Sequence, residues 1–125
     1  MSSPADVTIK NRTNQSITTK VTRDSWVEGD GGTINGKVIP KDENGVFRVT
    51  AKTGHHGELD IAFIGGASGA DLGTLKILSI KDPQNGVESL AVSSNLPNID
   101  VSAMGYRSSP GNEDLRRIDF IIVER

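Results

Sequence analysis

Cysteine is absent from this 125-residue chain, which excludes disulfides, thiolate zinc sites, iron–sulfur clusters and cysteine nucleophiles together. Aromatic residues make up only 4%, too few for a platform that stacks single-stranded nucleic acid or for a deep aromatic sugar groove. Neither sign of charge dominates. Fourteen Lys and Arg stand against sixteen Asp and Glu, a net charge of −2, and without a basic block a nucleic-acid backbone finds no partner here. No apolar run approaches the roughly 18 residues of a membrane span, and the opening Met1-Ser2-Ser3-Pro4-Ala5-Asp6 lacks both the basic head and the apolar stretch of a signal peptide. The expectation is a soluble protein, cytoplasmic or exported without such a peptide.

What the sequence does carry is alternation. Val7 and Ile9 interleave with Thr8 and Lys10, and Ile17, Thr19 and Val21 with Thr18, Lys20 and Thr22; period two is the mark of a half-buried strand. Similar segments run over Val46 to Lys52, Glu58 to Ile64, Thr74 to Lys81, Val87 to Ser93, Ile99 to Met104 and Leu115 to Glu124, and Val38-Ile39 before Pro40 makes a short extra strand. Polar clusters separate them. The one at Asn11 to Gln15 reads as a hairpin connection pairing the first two strands, and Thr53 to Gly57 as a second hairpin. Asn35-Gly36, Asn44-Gly45 and Asn85-Gly86 supply the positive φ of tight turns. A helix over Leu72 to Ile80 is disfavoured by its Thr, Ile and Ser content, and a short helical turn is allowed at Asn112 to Arg116. One domain spanning residues 1–125 follows, all-β, an antiparallel β-sandwich rather than a closed barrel.

Chemistry is harder to assemble. The glycine-rich run Gly65 to Gly73 follows a strand but lacks the Gly-Lys-Ser/Thr ending of a phosphate loop and any helix after it. Gly66-Ala67-Ser68-Gly69 misplaces the second glycine of a nucleophile elbow. His55 and His56 are the only histidines, and on an extended strand His56 would share a side with Glu58. Two ligands do not make a zinc site. Glu28 and Asp30 sit in the loop Glu28-Gly29-Asp30-Gly31-Gly32 without the spacing of a calcium-binding hand. No metal or cofactor is expected, and no acid, base and nucleophile converge, so the chain reads as a non-enzymatic binding module. Phe47, Phe63 and Phe120 fall in strand patterns and belong to the core. Trp26 follows Arg23-Asp24-Ser25 and precedes the glycine-rich loop, a rim position that suits an indole with one apolar body and one polar handle.

The stretch Ile17 to Gly32 with its Ser25-Trp26 pair, then Gly36-Lys37-Val38-Ile39-Pro40, Phe47 to Ala51 and Gly57-Glu58-Leu59-Asp60 resembles the aegerolysins, small acidic β-sandwich proteins of fungi and bacteria. The resemblance covers roughly residues 5 to 64. It implies binding to sphingolipid-containing membranes and recruitment of a larger perforin-like partner that forms pores. Trp26 then matches the family tryptophan near the lipid-contacting surface, and the headgroup loop falls at Thr53 to Gly57, so that Trp26, Glu28, Asp30, His55 and His56 are the candidate lipid-binding residues. The second half departs from the family: its strands lack the tryptophans and tyrosines that make that surface aromatic. A lectin-like or protein-interaction sandwich is the alternative, with carboxylate and asparagine loops bonding sugar hydroxyls.

Overall fold

A computed structural model of the chain describes residues 3–80, 90–107 and 116–125. Nine strands are present among them, β1 (Ser3–Arg12), β2 (Ile17–Ser25), β3 (Val38–Ile39), β4 (Asn44–Ala51), β5 (Glu58–Gly65), β6 (Asp71–Ile77), β7 (Leu90–Ser94), β8 (Ile99–Arg107) and β9 (Arg116–Glu124), with one 3-10 turn at Glu28–Gly31. They form two sheets, ordered β4-β1-β9-β8 and β3-β2-β5-β6-β7. The protein is a β-sandwich, as the alternation predicts. Every pairing is antiparallel except one: β1 runs parallel to β9, from Ala5 opposite Arg116 to Arg12 opposite Val123.

Alternation decides which side chains enter the space between the sheets. Val7 and Ile9 from β1, Ile118, Phe120 and Ile122 from β9, Leu59, Ile61 and Phe63 from β5, and Leu75 and Ile77 from β6 are all buried in one cluster. Phe63 and Phe120 stack across the gap with ring centroids 4.4 Å apart, which ties the middle strand of one sheet to an inner strand of the other. Phe47 is only partly buried and packs on the margin of that cluster, a correction to its assignment as core.

Both expected hairpins are overturned. β1 and β2 lie in different sheets, and so do β4 and β5, so residues 13–16 and 52–57 cross from sheet to sheet. The first crossing is built on Asn11, whose side chain is buried. Its Nδ2 donates to the carbonyls of Gln15 (2.9 Å), Ile39 (3.0 Å) and Pro40 (3.2 Å), and its Oδ1 accepts from the Thr13 amide and hydroxyl. The side chain thus stands in for the ladder that a hairpin would have offered the backbone.

The turn dipeptides divide. Gly36 has φ 72° and turns the chain as Asn35-Gly36 suggests, whereas Asn44-Gly45 starts β4 and the turn before it is made by Asp42 at φ 64°. The strand preference over Leu72 to Ile80 holds through Ile77, and β3 takes an edge with Pro40 just beyond it. Asn85-Gly86 and the start at Asn112 of the allowed helical turn lie outside the described residues. No helix among the described residues is long and apolar enough to cross a membrane.

Candidate functional site

Because the strands alternate in direction, Ser25 at the end of β2, Ala51 at the end of β4 and Glu58 at the start of β5 meet at one end of the sandwich. Two contacts lock their loops together. Val27 bridges to Ala51, and the Lys52 amide donates to the Trp26 carbonyl at 2.8 Å. The backbone at Trp26 is left-handed, φ 61°, a conformation that costs an L-residue roughly 1 kcal/mol. That turn throws the indole outward, where it stays 55% exposed and stacks on the His55 imidazole with centroids 3.9 Å apart and planes within 2°. Two residues 29 positions apart in the chain, singled out separately from the sequence, are in face-to-face contact.

The other candidates divide around this pair. His56 is exposed beside it, its carbonyl accepting from the Ile80 amide at 2.9 Å. Gly57 at φ 74° breaks the extended run, so the expected strand alignment of His56 with Glu58 does not form. Glu58 turns instead to Arg23, 2.9 Å away. Glu28 is exposed in the 3-10 turn, which Asp30 shares, and the Gly32 amide closes that turn by bonding the Gly29 carbonyl. Among the described residues no group of three His, Asp or Glu side chains is placed to hold a metal ion. Leu78, 40% exposed, adds apolar surface two residues before Ile80. This end therefore offers one open indole face, a partly covered imidazole, an aliphatic side chain and scattered charges.

At the opposite end the glycine-rich run is the connection between β5 and β6. The amides of Ala67 (3.0 Å) and Ser68 (3.2 Å) both donate to the Gln15 side-chain oxygen. A carboxamide oxygen of the chain itself takes up amides that a phosphate loop would offer to its ligand. On the outer face of the first sheet, the Arg48 guanidinium is held by Asp6 through Nε (2.7 Å) and Nη2 (3.0 Å), which raises a pKa that already keeps it charged at any working pH.

With this geometry in place, comparison with known proteins is informative at one level. Solved structures share the fold. The chain is similar to IP-1A from Alcaligenes faecalis, with a TM-score of 0.67 and 17% identity over 98% of this chain and 91% of that one. It is also similar to the RahU protein, solved with a Tris molecule, with a TM-score of 0.61 and 4% identity over 97% and 96% of the two chains. No family model and no curated protein matches the sequence. Identities this low carry architecture and leave chemistry to the residues themselves.

Two residues of the sandwich escaped the sequence reading. Asn11 and Gln15 pass for ordinary turn residues, yet each satisfies several main-chain groups of a crossing or loop. The available signal was the abrupt end of a strict alternation at an asparagine, which a buried side chain explains better than a solvated turn.

Proposed function

We propose that the chain is a non-enzymatic binding module whose loop end, centred on Trp26, docks onto a sphingolipid-containing membrane in the manner of the aegerolysins it resembles. One observation carries the reading: an indole held outward at the cost of a left-handed backbone, braced from behind by His55. A tryptophan kept out of water's reach needs no such brace, whereas one that must enter the boundary between headgroups and acyl chains gains from being held ready. His56 and Glu28 lie around it as polar contacts for a headgroup, with Asp30 in the same 3-10 turn as Glu28, and Leu78 supplies aliphatic area. A catalytic reading has less to use. Glu58 is engaged by Arg23 and His55 is covered on one face by Trp26, so neither of these two is free to aim at a shared point as an acid–base pair. The resemblance extends the reading to a larger perforin-like partner recruited at the membrane.

Sedimentation with vesicles tests this. The chain should pellet with phosphatidylcholine vesicles that contain sphingolipid and remain in solution with phosphatidylcholine alone, and Trp26→Ala should weaken the association at least about tenfold. The same exposed ring face can stack on a sugar, so binding on a glycan array with no vesicle association would replace the lipid reading by the lectin-like one.

A further inference from the structure

The four sheet edges are not equally protected. β3 is two residues long, and β7 five. At β4 the Arg48 carbonyl is covered by the Thr33 hydroxyl at 2.7 Å and Ala51 is bridged by Val27. β8 is different: nine residues long, among the described residues it has a neighbour in its own sheet on one side only. The Arg125 amide bonds the Asn98 carbonyl, while the Ile99 amide and carbonyl turn away to Leu96 and the Ser94 hydroxyl. Ile99 opposite Glu124 is therefore a non-bonded pair of the ladder, and the unbroken register makes the main-chain groups of Val101, Ala103 and Gly105 face the open side. Among the described residues nothing bonds them.

Proteins ordinarily guard such an edge with lysine, proline or a bulge. The segment Val101-Ser102-Ala103-Met104-Gly105 has none of these and no charge. Its side chains are small apart from Val101, which turns toward the second sheet, and Met104, which is 67% exposed on the outer face. We infer that β8 is an interaction surface for a second copy of this chain, pairing antiparallel with its own counterpart about a two-fold axis at Ala103. In that register Ala103 faces Ala103 of the second copy, and Val101 faces Gly105 of the second copy, both ways round. Val101, Ala103 and Gly105 then all find partners, for about six main-chain hydrogen bonds. A shift by one residue would set edge-facing groups against inward ones, so the ladder admits only registers of this parity.

The side chains agree with that register. Met104 comes opposite Ser102 of the second copy on the same outer face. There it reaches the mouth of a shallow cleft of about 250 Å³ lined by Lys10, Ser102, Met104, Asp119 and Ile121. The two copies of Met104 meet diagonally across the axis and cover each other. No like charges oppose one another along the seam. The result is one continuous sheet through both copies, built on the strand order β4-β1-β9-β8 and its mirror sequence.

Analytical ultracentrifugation of the full chain tests the inference. From about 1 to about 500 μM the mass should rise toward twice the chain's 13.3 kDa. Met104→Lys places like charges beside the axis, and Ala103→Pro removes an edge-facing N–H that bonds nothing among the described residues of the single chain. Each variant should keep the β spectrum and remain at the mass of one chain. Hydrogen exchange should slow at Val101, Ala103 and Gly105 as the wild-type concentration rises, and not in Met104→Lys. If Ala103→Pro fails to fold, the exposed-site variant Met104→Lys still decides. A wild-type chain of single mass throughout the range, or a dimer untouched by Met104→Lys, would overturn the proposal.

Discussion

Asn11 and Trp26 bear opposite relations to solvent and are each held in a demanding arrangement. The Asn11 amide group donates into three carbonyl oxygens within 3.2 Å, so Asn11→Asp, identical in shape, would aim a carboxylate at them. The expected loss is about 3 kcal/mol in urea denaturation at neutral pH. Its sign with pH is set by the raised folded-state pKa of the new carboxyl: the penalty relative to wild type is complete above that value and fades as pH falls toward about 4, the ordinary value for an aspartate. At Trp26 the strain is in the backbone, φ 61°, where glycine is at ease and alanine is not. Trp26→Gly should therefore melt above Trp26→Ala, by about 1 kcal/mol, although both lose the indole. The rim position of Trp26 was legible in the sequence from the charged and glycine-rich residues around it. Its contact with His55 was not, because nothing in a single sequence says which loops arrive at the same end.

At the scale of strands and connections, period-two alternation located eight of the nine described strands to within a few residues, the two-residue β3 being read from its place before Pro40, and named most of the core, since burial of one face is a local property of the pattern. Pairing is not local. A polar cluster between two alternating runs looks the same whether the chain folds back within a sheet or crosses to the other one, and here residues 13–16 and 52–57 cross. The glycine-rich run has a similar lesson: two of its amides are taken up by the side-chain oxygen of Gln15, 50 or so residues earlier. Gln15→Ala should speed hydrogen exchange at Ala67 and Ser68 and lower stability by about 1–2 kcal/mol, with two amides left to water. Across the sheets, Phe63→Ala should cost about 4 kcal/mol, because the removed ring leaves a gap against Phe120 that rigid strands close poorly.

The whole molecule is a sandwich whose first and last strands lie side by side at the middle of one sheet, parallel, with loops gathered at two ends that do different work. One end is closed on itself by Asn11 and Gln15. The other presents Trp26, His55 and His56. Since the core is apolar and continuous across both sheets, thermal melts with and without chelator should coincide, and a large downward shift on chelation would mean that the His55-His56 or Glu28–Asp30 segments hold an ion after all. The role of the open end is tested most directly by the emission of Trp26, the only tryptophan in the chain. The free protein should emit at the long wavelengths of an exposed indole, and titration with sphingolipid-containing vesicles should shift that emission to the blue in step with sedimentation. Emission that stays at its free-protein wavelength across a broad lipid panel would contradict the account.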